Sequence, residues 1–176
     1  MSTQLARPLL NQSIALIQKY QADAIVAVNS GLAPIQEFHK GPKWRTAFPW
    51  LTLAYEGTVF VGEAEITRRQ AHSLVVTVET GNFDSEFAQE QAINYGAVLD
   101  QVFSSLAGPP PFYQDWEQAQ TIVHETVPSG ITVPFNAGTV KWVFVEHVSQ
   151  SLVLREEQET PVIQVSLHIR VEVEEL

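Results

Sequence analysis

The strongest pattern lies at the end of the chain. Ile163, Val165, Leu167, Ile169, Val171 and Val173 are apolar, and Gln164, Ser166, His168, Arg170, Glu172 and Glu174 alternate with them. Successive side chains of a strand point to opposite faces, so this period of two predicts a long strand with one dry and one wet face. Its length, roughly twice that of an ordinary strand, suits pairing in a sheet that reaches past its own subunit. Further back, His72 to Thr80 alternates with Leu74, Val76 and Val78 on one side, and Phe48 to Tyr55 reads as a buried strand entered through Pro49. Thr139 to Val148 predicts another strand, with Val140, Trp142, Phe144 and Val148 on one face and Lys141, Val143, Val145 and His147 on the other. Gln120 to Thr126 reads as a short strand.

Two stretches carry helical periods instead. Pro8 suits a first helical turn, and Leu10, Ile14, Ile17 and Ala24 then follow helical spacing, predicting a helix from Pro8 to Asp23. Ala24 to Val28 fits either its extension or a short strand, and Asn29-Ser30-Gly31 ends whatever precedes it. Ala88, Ala92, Tyr95, Leu99, Val102 and Leu106 recur at steps of three and four, an apolar stripe capped at its start by Asn82 or Asp84 and stopped by Gly108-Pro109-Pro110-Pro111. Gly96 inside the stripe allows a close approach. Positions 31–47 read as an irregular loop, Thr58 to Arg69 as a strand end or a mobile excursion, and Ser149 to Thr160 as a loop or hairpin tip. The resulting expectation is one α+β domain over residues 1–176: a mostly antiparallel sheet packed by an N-terminal helix and one long central helix.

Composition narrows the function classes. An apolar fraction of 45% and a charged fraction of 17% describe a folded chain with a core of its own. There is no cysteine, which removes disulfides, thiolate metal sites and a thiol nucleophile together. The N-terminus lacks a charged and then apolar leader, and no run is long enough for a membrane span, so the expected location is cytoplasmic or virion. A net charge of −10 argues against nucleic-acid binding by the whole surface. Charge is also unevenly placed. Lys40, Lys43, Arg45, Arg68 and Arg69 fall between positions 40 and 69, whereas Glu172 and Glu174 belong to an acidic end. That distribution reads either as solvated surface or as a dipolar surface suited to head-to-tail contacts between copies.

No residue pattern supplies a reaction. The five histidines make no His-x-His or His-Glu-x-x-His motif, and neighbouring pairs such as Glu146–His147 point to opposite faces of a strand. No P-loop, Gly-x-Gly-x-x-Gly or nucleophile elbow is present. The sequence therefore predicts no catalytic residue, cofactor or metal, and reads as a non-enzyme. The aromatic connector Phe112, Tyr113 and Trp116 is a candidate partner contact, without the interleaved bases that stacking on single-stranded nucleic acid needs.

Four segments in order carry a resemblance: the N-terminal helix and its loop; Phe48-Pro49-Trp50-Leu51-Thr52-Leu53 with the charged stretch Glu63, Glu65, Arg68, Arg69; His72 to Val78 leading through Asp84-Ser85-Glu86 into the helix with Tyr95 and Leu99; and the strands Val140–Val148 and Ile163–Val173. In this order they resemble phage tail-terminator or tail-completion proteins, which cap a tail tube at the head–tail joint. The triproline connector with Trp116 and the segment 120–137 are longer than the usual link, which would also suit a related head–tail connector or an unassigned bacterial domain. The resemblance implies a ring, often a hexamer, that contacts tail-tube and head-connector proteins and performs no catalysis. The other readings of the residues are a stand-alone domain holding a small apolar ligand between sheet and helix, and an enzyme with an unrecognised site.

Overall fold

The computed structural model describes residues 3–40, 48–63, 68–82, 84–103, 121–122, 138–153 and 160–175. Leu106, Lys43, Arg45, Phe112, Tyr113 and Trp116 lie outside them, as do residues 64–67 and 154–159 within the stretches Thr58–Arg69 and Ser149–Thr160. In chain order the elements are α1 (Thr3–Val28), β1 (Glu37–Lys40), β2 (Trp50–Glu63), β3 (Arg68–Gly81), α2 (Ser85–Phe103), β4 (Thr121–Ile122), β5 (Gly138–Val153) and β6 (Val162–Glu175). The strands form one sheet in the order β1-β2-β3-β6-β5-β4, in which only β1–β2 is parallel. This is the α+β fold that the alternation of periods predicts.

The final strand is central, not peripheral. β6 pairs with β3 along its whole length, from Gly81↔Val162 to Arg68↔Glu175, and with β5 on its other side. At strand rise, its fourteen residues span about 45 Å. Its apolar set is buried from Ile163 to Val173, in register with Leu74, Val76 and Val78 of β3 and with Leu51 and Leu53 of β2.

The helices cover this face. Ala88, Ala92, Tyr95, Gly96, Val98, Leu99, Val102 and Phe103 of α2 are buried. A Cβ on Gly96 would lie 3.1 Å from Val165 Cγ2 and 3.7 Å from Val148 Cγ1, so the glycine sets how closely α2 rests on β6 and β5. Asp84 caps the helix, its Oδ1 accepting the amides of Glu86 at 3.0 Å and Phe87 at 3.2 Å. Thr80 Oγ1 donates to the Ala88 carbonyl at 3.0 Å, pinning the first turn to β3.

α1 is longer than the period predicts and includes Ala24–Val28. Its buried stripe is Leu9, Ser13, Leu16, Ile17, Tyr20 and Ala24, with Leu10 and Ile14 at its margins. The sequence reading is displaced because a serine occupies the stripe. Ser13 is wholly buried and satisfies its hydroxyl by donating to the Leu9 carbonyl at 2.8 Å. Pro8 lies inside the helix, not in its first turn, and removes one backbone bond near the helix start. Asn29 ends α1 by accepting the Gly31 amide on its side chain at 3.0 Å. Gln21 then holds the following loop with its amide group, donating to the Ile35 carbonyl at 3.0 Å and accepting the Ile35 amide at 2.8 Å. This clamp delivers the chain into β1, so part of the expected irregular loop is a strand.

Two stretches left open by the sequence resolve as strands. Residues 58–63 and 68–70 belong to the β2–β3 ribbon, and 149–153 continue β5. These stretches are strands because the neighbouring strands continue beside them. β5 also contains two register shifts, between Val140 and Trp142 and between Val145 and His147. Each bulge places two residues against one and reverses the alternation beyond it. Val143, Val145 and Val148 consequently share the helix-covered face, while Phe144 and His147 share the other. Gly81 has no room for a side chain, since a Cβ there would come within 2.5 Å of the Phe48 ring, which stacks on Trp50 at 4.5 Å.

Candidate functional surfaces

The sheet face opposite the helices is polar and crosses four strands in straight rows. One row is Thr52, Thr77, Ser166 and Ser149, joined at its centre by a 2.9 Å hydrogen bond between Thr77 Oγ1 and Ser166 Oγ. The next is Ala54, Val75, His168 and His147. The two imidazoles stack with centroids 4.0 Å apart and planes 11° apart. Glu56 joins them from the β2 bulge at Gly57, whose φ of +153° is a conformation open essentially to glycine alone. The bulge brings Glu56 Oε2 to 3.7 Å from His168 Nδ1. Arg170 bridges Glu172 at 2.9 Å and Glu146 at 4.0 Å. These pairs are partly exposed and each contributes little to stability. Sequence reading missed the histidine pair because register across two strands brings it together. Its one local signal is His168 on the wet side of the final strand. Among the described residues, no three His, Asp or Glu side chains converge as metal ligands would.

A buried polar group lies on the helix face. His72 is wholly buried, and Tyr55 Oη contacts its Nδ1 at 3.1 Å. Burial lowers the imidazole from its ordinary 6.5 to about 4, so the ring is neutral at physiological pH. Tyr95, whose hydroxyl donates to the Ala33 carbonyl at 2.6 Å, is pushed up to about 12 by burial. Both groups are held in the form that burial favours and knit the core.

Two apolar surfaces are open. The first is the outer half of β2, where Val59, Phe60 and Val61 are 65%, 52% and 42% exposed. Among the described residues β1 pairs only with Trp50–Leu53, and no described strand pairs this outer part of β2. Arg68 lies over the Phe60 ring at 5.4 Å. The second is a groove between α2 and β5, about 320 Å³ in volume, with Ile93, Gly96 and Asp100 on the helix side and Val148 and Val165 on the sheet side. Ile93 and Val148 are 55% and 49% exposed, and Leu152, 56% exposed, lines a neighbouring hollow past Gln150, whose Nε2 donates to the Gln89 carbonyl at 3.3 Å. Burial raises the Asp100 carboxyl above its usual range.

The charged candidates are spread over the sheet. Lys40 ends β1 and donates to Asn11 of α1. Arg68 and Arg69 open β3, in register with Glu175 and Glu174 of β6, so the described basic residues do not form one patch with Lys40. Glu172 accepts from Arg170.

Neither a protein-family model nor a curated protein matches the chain. Among solved structures, a chain from the virion of a native gene transfer agent particle is similar in outline. It is 16% identical, the match covers 92% of this chain and 93% of that one, and the TM-score is 0.47.

Proposed function

We propose that the chain is a single-domain structural subunit of a phage or prophage tail, of the tail-terminator or tail-completion kind. It works by closing into a ring at the head–tail joint and bearing on tail-tube and head-connector proteins. The observation that carries this reading is the β2–β3 ribbon, whose Val59, Phe60 and Val61 are exposed on an edge that no described strand pairs. Three adjacent large apolar residues on an open strand edge invite aggregation unless a partner covers them. The element order supports the same reading, with a helix, a proline-entered strand and its partner, a long helix and a terminal strand pair. On this reading the chain acts through geometry and has no reaction to catalyse. The test adds the protein to polymerised tail tubes and looks for rings at tube ends by electron microscopy. Capping is expected, and Arg68→Glu with Arg69→Glu is expected to weaken it. Normal tails in a phage deprived of this protein would overturn the proposal.

A second reading, a stand-alone domain holding a small apolar ligand, draws on the α2–β5 groove. The groove's volume is at the low end of small-molecule sites, about 300–1,000 Å³. The exposure of Ile93 and Val148 at its rim would leave such a ligand wet on one side, and this favours a larger partner.

A further inference from the structure

We infer that the α2–β5 groove is the receptor for the β2–β3 ribbon of a second copy, with Phe60 seated against Ile93 and Val148. This deepens the tail-subunit reading and rests on it. Both surfaces are apolar, open and on the same sheet, yet they occupy diagonally opposite corners of it. The level of Phe60 crosses the sheet through Gln70 to Val173, whereas the groove lies beside Val165. Those two residues of β6 are roughly 27 Å apart at strand rise, with two further strand spacings between β2 and β6. A ribbon held in the sheet cannot turn back to cover its own groove, so the groove it can enter is that of another molecule.

Charge favours a second copy as the occupant. No lysine or arginine occurs between Arg69 and Lys141, so α2 presents Glu86, Glu90 and Asp100 with no base among them. The ribbon carries Arg68 beside the ring that would enter, with Arg69 next to it. Seating Phe60 brings the Arg68 guanidinium to the acidic helix wall, where Asp100 lines the groove. Apolar residues at the centre and a charged rim are the usual anatomy of such a contact. Because the two surfaces are unlike, each copy uses one to hold a neighbour and offers the other to the next, which closes a ring or continues a filament.

The absence of native cysteine makes disulfide trapping a clean test. Val61→Cys in one chain and Ile93→Cys in another are mixed and mildly oxidised. The expected product is a linked heterodimer several-fold more abundant than either homodimer, and the doubly substituted chain should give a ladder. Adding Phe60→Asp should abolish both. A heterodimer no more abundant than the homodimers, or one indifferent to Phe60→Asp, would overturn the inference. If rings form at tube ends while the cross-link fails, the tail reading stands and the ribbon–groove contact falls. If the chain neither cross-links nor caps tubes, both fall. Stabilisation by decanoate without cross-linking would assign the groove to a small ligand and overturn the contact.

Discussion

His72 couples the core to pH through a single proton. The unfolded chain protonates this imidazole near 6.5, whereas the folded chain resists until about 4, because burial disfavours the cation. The stability contributed by neutral His72 is therefore complete above pH 6.5 and is lost as pH falls towards 4. The loss should total about 3 kcal/mol, at 1.36 kcal/mol per pKa unit. Asp100 works in the opposite sense, since its raised carboxyl takes up a proton more readily in the folded state. Denaturant midpoints across pH 7 to 4.5 should fall for the native chain and fall less for His72→Gln. An unchanged slope in the variant would show that His72 does not carry the effect. The sequence placed His72 at the start of an alternating strand. The same alternation sets it on the side of Leu74, Val76 and Val78, but gave no sign of the Tyr55 contact, which joins different strands.

At the scale of elements, α2 is the part most readable in advance and β5 the least. The stripe from Ala88 to Val102 is uninterrupted, its cap at Asp84 is an ordinary side-chain acceptor, and helix and stripe are both present in the structure. Leu99 is wholly buried within it. Leu99→Ala should therefore cost roughly 2–5 kcal/mol as a large-to-small change in a packed core, read as a lower denaturation midpoint. A midpoint within error of the native chain would mean that the helix is seated differently. β5 defeated pattern reading because its two bulges reverse the alternation, and bulges carry no local composition signal unless glycine marks them, as Gly57 does in β2. The far ends of β2 and β5 stayed ambiguous between strand and excursion or loop for a related reason. Their strand form follows from the long neighbours β3 and β6, a property of the sheet and not of the segment.

For the whole molecule, the sheet's two open apolar corners are what the account turns on. The sequence indicated a polar and charged stretch near 58–70 and an uneven charge distribution, but not that Val59, Phe60 and Val61 would stand at an edge or that a groove would open between α2 and β5. Both depend on register over many residues. The most direct measurement is the mass distribution, by native mass spectrometry, of an equimolar mixture of Phe60→Asp and Ile93→Asp chains. One variant keeps only its groove and the other keeps only its ribbon. The account predicts that the native chain forms larger assemblies, that each variant alone is monomeric, and that the mixture stops at a heterodimer whose remaining surfaces are both disabled. A native chain that stays monomeric, variants that assemble as the native chain does, or a variant that pairs with itself would contradict it.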